Sequence, residues 1–148
     1  MKKLDFKQKI DEETEWIVST NPEKFDYIKS FEIDGFVDWR QNRKYEIDDI
    51  VYIYASHSVG KITAICKVSK INIPRDEVKF HPELWKEGKP DNDGINTFVR
   101  FELIDFIKDD ERLNYSELKK HGLKGTIQAP RKVKGELLEY VHEVVSKK

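Results

Sequence analysis

Trp16-Ile17-Val18-Ser19-Thr20-Asn21-Pro22 opens the stretch that decides the fold, which continues through Trp39-Arg40-Gln41-Asn42 to Val51-Tyr52-Ile53-Tyr54-Ala55-Ser56. Trp16 and Val18 alternate with Ile17 and Ser19, which reads as a strand. Asn21 has the chemistry of a helix N-cap, with Pro22 at the first helical position and Glu23 in the first turn. Phe25, Ile28 and Phe31 fall three apart, predicting an apolar stripe that packs this helix on a sheet. Gly35 is its natural stop. Residues 36–49 read as an exposed loop carrying Trp39, with a turn at Asp48-Asp49. Ile50, Tyr52 and Tyr54 then alternate with Val51, Ile53 and Ala55. The β-branched run Lys61 to Ile71 follows across a hairpin at His57-Ser58-Val59-Gly60.

Working outward, residues 1–14 form a charge-dense N-terminal arm, and residues 15–148 read as a single domain. Three prolines and two glycines between Pro74 and Gly94 predict a long loop around His81-Pro82-Glu83-Leu84-Trp85, and such loops are more often functional than not. Thr97 to Ile107 reads as a long strand. Asn114 and Glu117 resemble a capping box before a short helix that Gly122 ends. Gly125 to Ala129 predicts a last short strand. Leu137, Leu138, Val141, Val144 and Val145 give a C-terminal amphipathic helix, and Lys147-Lys148 at its end suits the helix dipole. The order predicts an α+β fold, a curved antiparallel sheet or small barrel with helices outside.

The 148 residues are enough to bury a core without staples. Charged residues make up 37% of the chain, yet the net charge is −1, so no global basic field announces nucleic acid. Any such contact must come from a local patch. The single cysteine, Cys66, excludes an internal disulfide, and its apolar strand suggests a buried, inert thiol. No apolar run has the length of a membrane span, and the N-terminus lacks a signal-peptide core. The expectation is therefore a cytoplasmic protein with no membrane partner. Abundant Lys, Glu and Ile lean toward a thermophile, although an AT-rich genome gives the same bias.

Several chemistries are set aside. Gly60-Lys61-Ile62-Thr63 echoes a phosphate-binding loop, but Ala55 replaces its first glycine and no hydroxyl follows the lysine. His57, His81, His121 and His142 show no metal-ligand spacing. Asp109-Asp110-Glu111 reads as a solvated face. No cofactor, metal or catalytic residue is expected, and the chain reads as a binder.

A Trp beside Arg and Asn can grip a flat heteroaromatic ring by stacking and edge hydrogen bonds. Trp39 lies among polar neighbours and reads as a stacking wall, or else as a loop anchor. Trp85 is a candidate second wall, and Tyr54, near its strand end, is either pocket or core. Asn21 is either a cap or an amide that pairs with a base edge. Arg40 and Asn42 are contact candidates beside Trp39, or solvated loop residues. Arg131 and Lys132 supply a local basic patch for phosphate. Two alternatives stay open. One is a nucleotide- or RNA-modifying enzyme using Asn21, Tyr54 and a carboxylate; the other is a protein-interaction module in which Trp39 and Trp85 form a convex patch.

Trp16-x-Val18-x-x-Asn21-Pro22, then Trp39-Arg40, then Tyr54-Ala55-Ser56 with its Gly60 hairpin, resembles the EVE domain. Ile127-Gln128-Ala129-Pro130-Arg131 before a closing helix is similar to the tail of EVE proteins. The resemblance covers roughly residues 15 to 145. It implies a PUA-like pseudo-barrel of five to six mostly antiparallel strands with flanking helices, related to YTH and ASCH domains. It further implies an aromatic pocket for a modified base, methylated cytosine or adenine, of DNA or RNA. On that resemblance Trp39, Asn21, Thr20, Tyr54, Ser56 and Trp85 line the pocket, and a functional link to restriction or RNA-modification systems follows. Two features depart from the family pattern: the turn that often reads Gly-Asp is Asp48-Asp49 here, and the charge is near neutral.

Overall fold

The computed structural model describes residues 14–86, 94–107 and 109–146. The expected arm falls almost wholly outside these residues, as do Lys147 and Lys148. β1 (Glu15–Thr20) leads through a turn to helix α1 (Tyr27–Asp34), and β2 (Phe36–Arg40) follows directly. β3 (Ile50–Ala55) and the long β4 (Lys61–Pro74) form the hairpin, and β5 (Thr97–Phe106) returns along β4. A short helix α2 (Tyr115–Lys120), β6 (Arg131–Lys132) and helix α3 (Gly135–Ser146) complete the described elements. The sheet order is β2-β5-β4-β3-β1-β6. Only β1 and β3 pair in parallel, with Glu15 beside Ile50 and Thr20 beside Ala55. The fold is α+β, as expected.

Side-chain alternation on β1 and β3 sends residues to two cores. Ile17, Tyr52 and Tyr54 face α3, where Leu137, Leu138, Val141, Val144 and Val145 are buried, and Leu118 of α2 joins them. Trp16, Val18, Val51, Ile53 and Ala55 face the opposite cluster, with Phe25, Phe31, Val37 and Phe101. Shifts of register between β4 and β5 at Ile65/Cys66, Val68/Lys70 and Lys70/Ile73 bend the sheet around this second core. Cys66 is fully buried there, and burial pushes its thiol up, which keeps it protonated.

Three expectations need correction. Asn21 caps a turn rather than the helix: its side chain accepts from Glu23 N at 2.9 Å, and its carbonyl accepts from Lys24 N and Phe25 N. The helix N-cap is Asp26, whose side chain accepts from Lys29 N. That later start rotates the buried face onto Tyr27, Ser30 and Phe31, leaving Ile28 44% exposed. Second, Phe36–Arg40 is an edge strand paired with β5, not a loop. Third, the last strand is Arg131–Lys132 rather than 125–129. The helix after Asn114 ends as expected: it runs to Lys120 with His121 as its C-cap, and Gly122, at a φ of 116°, follows directly.

Two buried carboxylates tie the sheet together. Glu15 accepts from the Tyr52 hydroxyl at 2.6 Å and meets His142 Nε2 of α3 at 2.8 Å. Asp49 accepts from the Trp16 indole at 3.0 Å and from the backbone N–H groups of Thr14 and Glu46. Its neighbour Asp48 takes a φ of 73°, the left-handed conformation a glycine would supply in this turn. The departure from Gly-Asp therefore leaves the turn intact, and the backbones of Asp48 and Asp49 both bond to Val68. Asp49→Ala strands three donors and is expected to cost about 3 kcal/mol in urea denaturation. A loss below about 1 kcal/mol would contradict this anchoring.

Candidate nucleic-acid interface

The turn at Asn21 throws Phe25 inward, where it is 5% exposed. There it forms an isolated antiparallel bridge with Trp85. Asp26 N donates to Leu84 O at 2.9 Å and Lys86 N to Lys24 O at 2.8 Å, so residues 81–86 lie as a strap against residues 24–26. Side chains fix the strap from below. His81 Nε2 meets Asp34 Oδ2 at 2.7 Å, and Lys79 N donates to Asp38 Oδ2 at 2.9 Å. The Asp38 side chain, wholly buried, accepts a two-pronged bond from Arg100 at 2.7 and 3.0 Å. The Arg100 guanidinium also lies 3.9 Å from the centre of the Phe36 ring. Bonding to Asp38 raises the Arg100 pKa further, so its guanidinium stays charged.

These anchors assemble a run of rings. Phe25 stacks on Trp85 with centres 4.2 Å apart and planes 15° apart. The Trp39 ring is tilted to Phe25, with centres 6.1 Å apart and planes 51° apart. Trp39 in turn stacks near Phe101 at 6.3 Å, Phe101 meets Tyr45 edge-on at 5.5 Å, and Tyr45 leans on Trp16 at 4.8 Å. Trp39 and Trp85, far apart in sequence, thus both pack on Phe25, which belongs to the core. A cavity of about 30 Å³ beneath the strap, bordered by Phe25, Asp34, His81 and Trp85, has room for about one water.

The other candidate residues are distributed around this run. Thr20 is buried at the end of β1, and its carbonyl accepts from both the backbone N–H and the hydroxyl of Ser56. Tyr54 is in the core facing α3, on the opposite side of β3 from the ring run, and burial raises its phenol. Arg40 and Asn42 are exposed at the end of β2 and just past it. Arg131 donates to the carbonyls of Lys124 and Thr126, which folds the segment before β6. Lys132 is exposed and lies 5.8 Å from the Trp16 ring.

Sequence reading missed three members of this region. Phe25 was assigned to a helix stripe, although its place before Asp26 excludes it from the helix. Arg43 donates to Pro130 O at 3.0 Å and joins the two edges of the sheet, beside Arg131. Gln41 makes a reciprocal pair with Asn72, its amide donating to Asn72 Oδ1 at 2.9 Å and accepting from Asn72 N at 2.8 Å. No sequence spacing signals these contacts, since each joins segments remote along the chain. Among the described residues no three His, Cys, Asp or Glu side chains gather as a metal site.

The six-stranded, mostly antiparallel sheet with its helices shares its fold with solved ASCH structures. The ASCH protein of Zymomonas mobilis superposes with a TM-score of 0.63 at 16% identity, over 88% of this chain and 94% of that one. Human THYN1, solved in complex with 5-methylcytosine-containing DNA, superposes with a TM-score of 0.57 at 15% identity, over 92% and 99%. A Pseudomonas syringae protein gives 0.60 at 17% identity, over 88% and 98%. No family model matches the sequence, and no curated protein matches it.

The Tyr45 hydroxyl is buried without a hydrogen-bond partner among the described residues. Tyr45→Phe removes that orphan donor and is expected to leave stability unchanged or raise it by up to about 1 kcal/mol. Burial holds the Tyr45 phenol above its usual value of 10.0, so the folded chain keeps a proton that the unfolded chain loses. Its stability contribution is complete below about pH 10 and declines above it, by up to about 1.4 kcal/mol per pH unit. Melting curves from pH 8 to 11 should show a shallower alkaline loss in Tyr45→Phe. Equal slopes, or a clear loss at neutral pH, would mean the hydroxyl has a partner.

Proposed function

We propose that this chain is an EVE-type nucleic-acid-binding domain that holds an extruded, modified base of DNA or RNA between Trp39 and Trp85. The observation that carries this reading is that Trp39 and Trp85 both pack on Phe25, just past the Asn21 turn. The likeness in fold to THYN1, which binds methylated DNA, supports it. Stacking on an aromatic wall contributes about 1–3 kcal/mol per base. The Asn21 amide offers both a donor and an acceptor to a base edge. Arg40, Asn42 and Lys132 are exposed along the same region and supply polar and cationic contacts to a strand. Extrusion costs a few kcal/mol, which stacking and edge bonds offset.

The chain acts in this reading as a binder without catalysis. Tyr54, which the enzyme alternative would use with Asn21 and a carboxylate, packs toward α3. With a net charge of −1, attraction for phosphate is weak and the pocket carries the specificity.

Tryptophan fluorescence is to be titrated with short single strands containing cytosine, 5-methylcytosine, adenine or N6-methyladenine. The expected result is saturable quenching by one modified strand, weakened about tenfold or more in Trp39→Ala. The dependence of log K on log salt should be shallow, no steeper than about −2. Absence of a saturable response from every strand would overturn the reading.

A further inference from the structure

We propose that the open cavity between α1, the β3–β4 hairpin and the end of β5 binds a small amphipathic amine that carries a hydroxyl at its far end. This cavity shares no lining residue with the one beneath the strap, and the inference does not rest on the base-binding reading.

The cavity holds about 500 Å³, within the range of about 300–1,000 Å³ in which small-molecule sites fall. Much of its wall is apolar. Ile28 of α1, Val59 of the hairpin, and Phe106 and Ile107 at the end of β5 all line it. Ile28 and Val59 are 44% and 37% exposed, so apolar surface stands open to solvent at the mouth. The start of α1 after Asp26 is what turns Ile28 away from the core and onto this cavity.

The floor is polar. The hydroxyls of Tyr27 and Thr63 lie 2.7 Å apart, and Tyr27 is buried while Thr63 is half-buried. One O–H serves the bond between them, so the other O–H and the remaining lone pairs are left for a ligand hydroxyl.

The charges select the other end of the ligand. Among the described lining residues the one cation is Lys61, and it is already bonded to Asp109 and Glu111. Glu32, one turn beyond Ile28 on α1, also lines the cavity and has no hydrogen bond or ion pair with any described residue. Two carboxylates and one committed ammonium make a lining that favours a cation and repels phosphate or carboxylate. The Gly60–Thr63 segment, which echoes a phosphate-binding loop, thus borders a site of the opposite preference. A fitting ligand sets its ammonium toward Glu32, its apolar body on Ile28 and Phe106, and its hydroxyl against the Tyr27–Thr63 pair.

Three probes separate these contributions: tyramine, phenethylamine without the hydroxyl, and 4-hydroxyphenylacetate with a carboxylate in place of the amine. Binding is read from nitrogen–proton correlation spectra of the full chain, with folding of each variant checked by circular dichroism. Tyramine should shift the backbone signals of Val59, Thr63 and Ile107 saturably, leaving the Trp39 and Trp85 indole signals in place. Phenethylamine should bind severalfold more weakly, and the acid most weakly of the three. Thr63→Val should erase the advantage of tyramine over phenethylamine, and Glu32→Gln should narrow its lead over the acid severalfold. Val59→Trp, at an exposed position that accepts a larger side chain, should fill the cavity and abolish tyramine binding. No saturable shift with tyramine, equal binding of the acid or of phenethylamine, or undiminished binding in Val59→Trp overturns the inference. Each of those results leaves the base-binding reading standing, because the strand titration reports on different residues.

Discussion

The parallel pairing of β1 with β3 is the constraint on which the rest of the structure depends. Parallel neighbours cannot be joined by a tight turn, so residues 21–49 must leave the end of β1 and return to the start of β3. On the way they lay α1 across one face of the sheet and add β2 at its far edge. That excursion carries both Phe25 and Trp39, and it brings them to within ring contact. Thr20 and Ser56 lock the two strands where they end, and Asp49 locks them where β3 begins. The contact of Phe25 with Trp39 is therefore a consequence of topology before it is a matter of side chains.

The remaining wall comes from outside the excursion. Trp85 arrives on the connection between β4 and β5, and it is held there by polar contacts at the base of the strap. Asp38 is central to these contacts. It binds Arg100 of the neighbouring strand and the Lys79 backbone at once, and its side chain is wholly buried. A buried, fully bonded ion pair contributes little net stability, but removing one partner is costly, so it fixes geometry. Here it fixes the position of the loop that brings Trp85 onto Phe25.

Much of this architecture is legible in the sequence, because periodicity reports burial. The alternation in Trp16–Ser19 and Ile50–Ala55 reads correctly as strands, and the spacing of Leu137, Val141 and Val144 as a helix. What is not legible follows from local chemistry with more than one use. Asn21-Pro22 has a helix-capping signature, yet Asn21 closes a turn and the helix starts at Asp26. Phe36–Arg40 is half exposed on the sheet edge, so its alternation is masked by Asp38 and Arg40. Asp38 looks like a surface carboxylate until Arg100, 62 positions away, is placed beside it. Trp39 and Trp85 are legible as aromatic candidates, but that both pack on Phe25 is not.

The central claim is that Trp39 and Trp85 flank a base-binding slot while Trp16, its indole bonded to Asp49, belongs to the core. The chain has three tryptophans, and so three indole N–H reporters in a nitrogen–proton correlation spectrum. Adding a strand with a single modified base should shift the Trp39 and Trp85 signals saturably and leave that of Trp16 in place. A shift confined to Trp16, equal movement of all three, or no saturable movement at all would contradict the account.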